Sequence, residues 1–321
     1  MNLRTALRDF EQITGKPLAI LNDEIREYGV KVEAILNGQH QPGFFLLTEL
    51  GDILATSYNL PIETIPTAIQ WDMLYKTMEE CQAFRQYCQE AHGNALIQMN
   101  ELDNGTLEQI VGLLQLDSTH TAADIGCGNG SLTEYLSDRS GRRFIGMDAS
   151  IYAIRLAEER TQAKSQRLTF RIGDINQAWE VLEEFSEIDT IVAMEVLFAS
   201  QDLERTLQDF TYLLRGKGQM LLIANQHVND SHREAERLLP EGTDISRAAF
   251  TLGLPTTVYD LTPAKLAYLE RSISLLKRYE EAFRREGQHD FWAARMIYDR
   301  KMIKRVQEGL TKRFMVHITI K

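Results

Sequence analysis

The chain has 321 residues, of which 44% are hydrophobic and 25% are charged, and its formal net charge is −11. This length suits one full α/β domain with a substantial core plus a smaller element. The acidic charge argues against bulk binding of nucleic acid, and the absence of an 18-residue apolar stretch argues against a membrane span. Three cysteines in no paired framework and no visible secretory signal predict a cytoplasmic protein.

The first part of the chain, residues 1–117, is predicted to be mostly helical. In residues 69–89, apolar side chains recur every three to four positions, which is typical of an amphipathic helix. Residues 43–61 carry apolar stretches bounded by proline and glycine, a pattern that fits either a helix or a short hairpin. We therefore expect a helical region before the α/β core, with the conformation of residues 22–68 left open.

Residues 118–321 alternate between short apolar runs and helix-like segments. The predicted strands are 121–125, 142–148, 168–172, 188–195 and 218–224, and the predicted helices between them are 130–138, 151–163, 177–185 and 202–214. This alternation is typical of a doubly wound, mostly parallel sheet with helices on both faces.

The end of the chain departs from this alternation. Residues 228–253 are polar and predicted to be helical, 255–263 are predicted to contain a short strand, and 264–309 are again predicted to be helical. Residues 313–321 alternate strictly between the two faces of a strand. We expect two helical insertions, 228–253 and 264–309, within the domain that spans 118–321.

The most informative segment reads ADIGCGNGS, residues 123–131. An apolar run ends in Asp124, and Gly126, Gly128 and Gly130 follow at alternate positions before a predicted helix. Glycines let the backbone pass close to a ligand, and a helix N-terminus offers free N–H groups. A dinucleotide fingerprint would instead place its third glycine at Ser131.

This segment resembles motif I of class I S-adenosylmethionine (SAM)-dependent methyltransferases. Three later strand ends follow in the order of that family: Asp148 lies 22 residues after Gly126, Asp174 ends the third strand, and MEVL begins at Met194. The resemblance implies an α/β fold with a seven-stranded sheet whose last strand is antiparallel. It covers residues 118–225 firmly and 255–321 more loosely.

The resemblance also implies cofactor roles. Asp124 would hold the methionine ammonium, the glycine backbone would pass under the methionine and ribose, Asp148 would accept the ribose hydroxyls, and Asp174 would read the adenine amino group. The implied cofactor-binding residues are Asp124, Gly126, Cys127, Gly128, Asn129, Gly130, Asp148, Ala149, Gly173, Asp174, Ile175 and Met194. The cofactor would be SAM, leaving as S-adenosylhomocysteine (SAH).

The methyl acceptor is less well defined by the sequence. An acceptor that is protonated at neutral pH needs a general base, and Glu195 and His227 are the two candidates at strand ends. No Asn-Pro-Pro-Tyr or Asp-Pro-Pro-Tyr follows the fourth strand, which favours a small-molecule acceptor over a flipped base. Candidate acceptor contacts are Trp71 and Tyr75, in a helical lid formed by residues 1–117, and Phe198.

Two alternatives remain open: a protein or nucleic-acid methyltransferase, and a SAM-binding regulatory protein without turnover. Residues 295–313 carry a local net charge of +5, which fits either a solvated helix face or a cationic rim for an anionic acceptor. His227, Asp230 and His232 do not share one helical face, so we expect no metal site. Nitrogen, oxygen and carbon acceptors are all compatible with the sequence, as are a monomer and a homodimer.

Overall fold

A computed structural model describes residues 1–62, 67–115, 121–185 and 188–321. They divide into two compact units, one formed by Met1–Tyr87 with Ile273–Lys301 and the other by Cys88–Ser272 with Met302–Lys321. Within these described ranges, no helix combines the length and the apolar character needed to cross a membrane.

The first unit is helical. With helices numbered along the chain, its elements are α1 (Leu3–Arg8), α2 (Phe10–Thr14), α3 (Ile20–Glu24), α4 (Val32–Leu36), α5 (Phe44–Ser57), α6 (Thr67–Glu80) and parts of α7 (Gln82–His92), α14 (Thr262–Arg285) and α15 (His289–Gln307). Its core packs α1 and α5 around Phe10 and Ala293. The Phe45 ring stacks on Phe291 with centroids 4.8 Å apart. The prediction of N-terminal helices is confirmed.

The open question over residues 43–61 is answered by helix α5. Leu46, Leu50, Ile53 and Leu54 are buried, and their spacing of four, three and one residues fits a single helical face. The Gly43 N–H at its start donates to the Asp290 carboxylate over 2.6 Å. Side-chain burial therefore selects the helix where periodicity alone does not.

The second unit contains a seven-stranded sheet in the order β3-β2-β1-β4-β5-β7-β6. The strands are β1 (Thr121–Ile125), β2 (Arg143–Asp148), β3 (Leu168–Ile172), β4 (Ile188–Met194), β5 (Gly218–His227), β6 (Thr256–Asp260) and β7 (Thr311–Ile320). Strands β1 to β5 pair in parallel, whereas β7 is antiparallel to both β5 and β6. The predicted fold class, with its antiparallel last strand, is confirmed.

Helices cover both faces of the sheet because successive strand residues point to opposite sides. The helices of this unit include α8 (Asn104–Leu114), α9 (Ser131–Ser140), α10 (Ile151–Thr161), α11 (Ala178–Leu182), α12 (Leu203–Leu213) and α13 (Asp244–Thr251). In β5, Met220 and Leu222 join the apolar layer that contains α11, α12 and α13. Leu221 and Ile223 join the opposite layer, which contains α8, α9 and α10.

The segments after β5 are more broken than the sequence indicates. Residues 228–253 contain two short 3-10 turns, Ala235–Leu238 and Pro240–Gly242, followed by α13. Pro240 has no backbone N–H to continue a helix from the preceding turn. Residues 264–309 fall mainly in α14 and α15, with Gly287 between them at a φ of +71°.

Candidate active site

The glycine loop, residues 126–130, turns sharply at the end of β1. Gly126, Gly128 and Gly130 have φ values of +74°, +55° and +71°, a region that residues with a Cβ rarely adopt. The N–H groups of Gly126 and Cys127 both donate to the Met147 carbonyl of β2, over 2.7 and 3.0 Å. Backbone hydrogen bonds thus fix the loop against the neighbouring strand.

Close packing explains two of these glycines further. A Cβ on Gly126 would lie 2.5 Å from the Val196 side chain, which follows β4. A Cβ on Gly130 would lie 2.7 Å from Phe170 and 2.9 Å from Ala157. Both distances are shorter than ordinary van der Waals contact, so a side chain at either position would displace its neighbours.

Asp148, at the end of β2, is held by the backbone on both sides. Its Oδ2 accepts a hydrogen bond of 2.8 Å from the Gly128 N–H, and its Oδ1 accepts one of 2.9 Å from the Ser150 N–H. Each carboxylate oxygen can accept more than one hydrogen bond. The acid predicted to bind ribose is therefore oriented at the edge of the glycine loop, followed directly by Ala149.

The end of β3 adjoins the same loop edge. The Gly173 N–H donates to the Asp148 carbonyl over 3.0 Å. Asp174 is exposed and begins a 3-10 turn, where its Oδ1 accepts hydrogen bonds from the backbone and side chain of Asn176, over 2.8 and 2.6 Å. Ile175 beside it is buried.

Asp124 lies inside the core, with 1% of its surface exposed. The Thr133 hydroxyl of α9 donates to its Oδ2 over 2.6 Å. Loss of solvation raises the pKa of the Asp124 carboxyl to about 7, although the Thr133 hydrogen bond acts in the opposite direction. Its contact here is with α9, and its role toward the methionine ammonium stays a prediction.

The remaining predicted cofactor residues line the same region. Asn129 connects the loop to the preceding segment, since its Nδ2 donates to the Ile97 carbonyl over 3.1 Å. Cys127 is buried, and burial raises the pKa of its thiol well above the ordinary value. Met194 is buried at the end of β4. Their assignment to the cofactor remains a prediction.

Glu195, the first candidate base, adopts an unusual backbone conformation directly after β4. Its φ is +59°, and its N–H donates to the Ile223 carbonyl of β5 over 2.8 Å. Its Oε2 accepts a hydrogen bond of 2.8 Å from Asn225, and its Oε1 lies 2.7 Å from Arg313 Nε. Burial raises the pKa of this carboxyl, and Arg313 opposes that rise.

The second candidate base and the predicted acceptor contacts differ in how far they are exposed. His227 ends β5, is exposed, and its Nδ1 lies 2.9 Å from the Thr311 hydroxyl of β7. Phe198, in the short turn after Glu195, is 70% exposed. Trp71 and Tyr75 are half-buried on α6 of the first unit. In the described part of the chain, no group of three His, Cys, Asp or Glu side chains has metal-binding geometry.

Sequence reasoning missed three charged residues near Glu195: Glu101, Lys265 and Arg313. All three are buried, with Lys265 Nζ bonded to Glu101 Oε2 and Arg313 Nη1 donating to the Glu101 carbonyl over 2.8 Å. Lys265 lies four residues from both Leu261 and Leu269. A lysine at an apolar position of a helix could therefore have indicated a buried charge. Arg313 instead lies in the basic run 295–313, which the sequence indicates as either a solvated helix face or a cationic rim.

One family model matches part of the chain. Residues 116–252 match a family model described as a methyltransferase domain. This match covers less than half of the chain and, with the sheet order and the glycine loop, it agrees with the resemblance of residues 118–225 that the sequence predicts. No curated protein sequence matches the chain.

Solved structures share the fold at low sequence identity. A phosphoethanolamine N-methyltransferase 2 from Haemonchus contortus matches with a TM-score of 0.64 and 15% identity, over 80% of this chain and 61% of that one. A cyclopropane synthase from Mycobacterium tuberculosis matches with a TM-score of 0.59 and 14% identity, over 76% and 98%. A geranyl diphosphate C-methyltransferase from Streptomyces coelicolor A3(2) matches with a TM-score of 0.51 and 16% identity, over 68% and 79%. The chain therefore spans less than two thirds of the first of these proteins.

Proposed function

We propose that this protein is a SAM-dependent methyltransferase that methylates a small molecule. The observation that carries the proposal is the Asp148 carboxylate, held by the Gly128 and Ser150 N–H groups beside the glycine loop. An acid at the end of the second strand is suited to accept hydrogen bonds from ribose hydroxyls. The exposed Asp174 at the next strand end is suited to the adenine amino group.

The donor set fits SAM. The glycine loop supplies a backbone surface without side chains, Asp148 and Asp174 supply acceptors for the nucleoside, and Met194 supplies an apolar contact for the methionine end. We assign cofactor binding to the full predicted set: Asp124, Gly126, Cys127, Gly128, Asn129, Gly130, Asp148, Ala149, Gly173, Asp174, Ile175 and Met194.

When bound, SAM supplies a methyl group on a positively charged sulfur, which departs as a neutral thioether. The chain therefore has to orient the acceptor in line and exclude water, and these effects supply much of the rate. We assign to Glu195 the removal of a proton from the acceptor, with His227 as the second candidate. Phe198 is the candidate apolar contact beside Glu195.

A small acceptor is supported by three observations. The chain lacks an Asn-Pro-Pro-Tyr sequence after β4, its net charge of −11 disfavours a polyanion, and its solved relatives include proteins named for phosphoethanolamine and geranyl diphosphate. The assignment of residues 1–117, with Trp71 and Tyr75, to an acceptor lid remains part of this proposal. The three cysteines are buried and none of them forms a disulfide in the described structure, which supports a reducing, cytoplasmic setting.

Calorimetry with SAM and SAH tests the cofactor assignment. Asp148→Ala should weaken both affinities at least about tenfold, because two hydrogen-bonded ribose hydroxyls lose their acceptor. Glu183→Ala, at an exposed acid just beyond α11, is the matched control and should leave both affinities unchanged. Equal affinities for the Asp148→Ala variant and the unsubstituted protein would contradict the assignment.

A labelled-methyl screen then tests turnover. We expect transfer to at least one metabolite among amines, phenols, carboxylates and carbon acids. Labelling confined to the macromolecules of a lysate would instead favour a protein or nucleic-acid methyltransferase. Intact SAM binding with no transfer to either class would favour a regulatory protein.

A further inference from the structure

Four charged side chains form an alternating row beneath the carboxyl ends of β4 and β5. Lys265 Nζ bonds Glu101 Oε2, Glu101 Oε2 lies 3.8 Å from Arg313 Nη1, and Arg313 Nε lies 2.7 Å from Glu195 Oε1. Asn225, directly across from Arg313 in the β5–β7 pairing, donates to the other oxygen of Glu195. We call these five residues the Glu195 cluster.

Burial makes this row costly. The side chains of Lys265, Arg313 and Glu101 are 0%, 1% and 4% exposed. Removing an ion from water costs several kcal/mol even after relaxation, and a buried ion pair repays that cost only with favourable geometry. Stability alone is thus a weak explanation for four such charges in one place.

Glu195 is the accessible end of the row. Its side chain is 19% exposed, and its backbone is held at a φ of +59°. A non-glycine residue in this region costs on the order of 1 kcal/mol and persists where its surroundings fix it, often at functional sites. The next residue, Val196, packs against Gly126. The row therefore ends beside the glycine loop.

We propose that Arg313 is a positioning residue that fixes the orientation and charge of Glu195 as proton acceptor in methyl transfer, with Glu101 and Lys265 holding Arg313. This inference rests on the proposed function. The acceptor's N–H or O–H proton passes to Glu195, the electron pair it leaves forms the bond to the methyl carbon, and the carbon–sulfur pair departs with sulfur. This role requires an acceptor with an N–H or O–H proton, such as an amine or a hydroxyl compound.

Opposite shifts in the titration of Glu195 test this role. Arg313 lowers the pKa of Glu195 and Glu101 raises it, so the pKa of Glu195 rises when Arg313 is removed. Without the negative charge of Glu101, the pKa of Glu195 falls, because Arg313 and Lys265 then act on it alone. Opposite signs would show that the charges of Arg313 and Glu101 set the titration of Glu195, because a loss of packing alone gives no reason for them.

The measurement is a pH titration of full-length protein labelled with ¹³C at the glutamate carboxyls. The Glu195 signal is the one missing from the Glu195→Gln spectrum. We expect Arg313→Met to raise its midpoint by about one pH unit or more, Arg313→Lys to raise it by less than half as much, and Glu101→Gln to lower it. Unmoved midpoints in folded Arg313→Met and Glu101→Gln would overturn the proposal, and so would shifts of one sign.

SAH calorimetry on the same proteins separates this proposal from the function on which it rests. If the unsubstituted protein fails to bind SAH, the proposed function fails whatever the titrations show. If it binds SAH and the midpoints stay fixed, only the role of Arg313 fails. If Arg313→Met does not fold, the Glu101→Gln variant decides between the two outcomes. A lower Glu195 midpoint in that variant supports the proposal, and an unchanged or higher midpoint overturns it.

Discussion

The two halves of the strand-end edge are built from different parts of the chain. At the ends of β1 to β3, backbone groups form the surface: three glycines with positive φ, and N–H groups that hold Met147 and Asp148. At the ends of β4 and β5 and the start of β7, side chains form it, through the Glu195 cluster. The first half depends on contacts such as that between Gly128 and Asp148, 20 positions apart, and the second on contacts between residues 164 and 212 positions apart.

The largest effect that separates the halves should come from Gly126→Ala. The new Cβ would lie 2.5 Å from Val196 at a φ of +74°, so both the loop and the residue after Glu195 must shift. We expect SAH affinity to fall more than about 100-fold, a loss of roughly 2.8 kcal/mol. Calorimetry measures the affinity, and thermal unfolding confirms that the variant is folded.

Gly216→Ala is the control for this change. Gly216 has a φ of +75°, and a Cβ there would meet nothing within 4 Å. It precedes β5, at the opposite end of the sheet from the glycine loop. The same backbone strain without the clash should leave SAH affinity within about twofold. Equal losses in the two variants would mean that strain in the backbone, and not the contact with Val196, governs binding.

The next effect concerns the pH dependence of stability. Burial raises the pKa of Asp124 from 3.8 to about 7, so this carboxyl ionises at a lower pH in the unfolded chain than in the folded protein. The stability that the protonated carboxyl contributes to the folded protein is therefore lost as pH rises from about 4 to 7. Asp124→Asn cannot ionise. Between pH 5 and pH 7 the unsubstituted protein should therefore lose about 2 kcal/mol relative to the variant.

Denaturant unfolding at the two pH values measures this difference. Thr133→Val, which removes the hydroxyl donor to Asp124, should raise the pKa of Asp124 further and steepen the loss. A difference between the unsubstituted protein and Asp124→Asn that stays constant with pH would mean that Asp124 titrates in the folded state as it does in the unfolded chain.

The same contrast explains how far the sequence predicts the molecule. The predicted strands 121–125 and 168–172 agree with β1 and β3, because a short apolar run bounded by glycines and acids is a local signal. Strand β5 runs three residues beyond its predicted end because β7 pairs along all of it. The sequence around β5 does not show this pairing, because β7 lies far along the chain.

The site follows the same rule. The glycine loop and the acids at strand ends could be found from spacing, since each lies at a fixed distance along the chain from its strand. Arg313 could not, because its partner Glu101 belongs to a segment before β1 and their contact depends on how β7 enters the sheet. Its position in a basic run also masked the difference between a buried and a solvated cation.

The smallest effect should arise at Asp174. Its carboxylate is exposed and already accepts two hydrogen bonds from Asn176, so water can replace much of any contact with the cofactor. We expect Asp174→Ala to weaken SAH binding about threefold, under 1 kcal/mol.

S-inosylhomocysteine, which carries an oxygen in place of the adenine amino group, supplies the matched comparison. If Asp174 reads that amino group, the variant loses the preference for SAH over the inosine analogue, whereas an unchanged preference would assign adenine recognition to the backbone. That result would mean that backbone groups, which already form the surface at the ends of β1 to β3, also recognise the adenine.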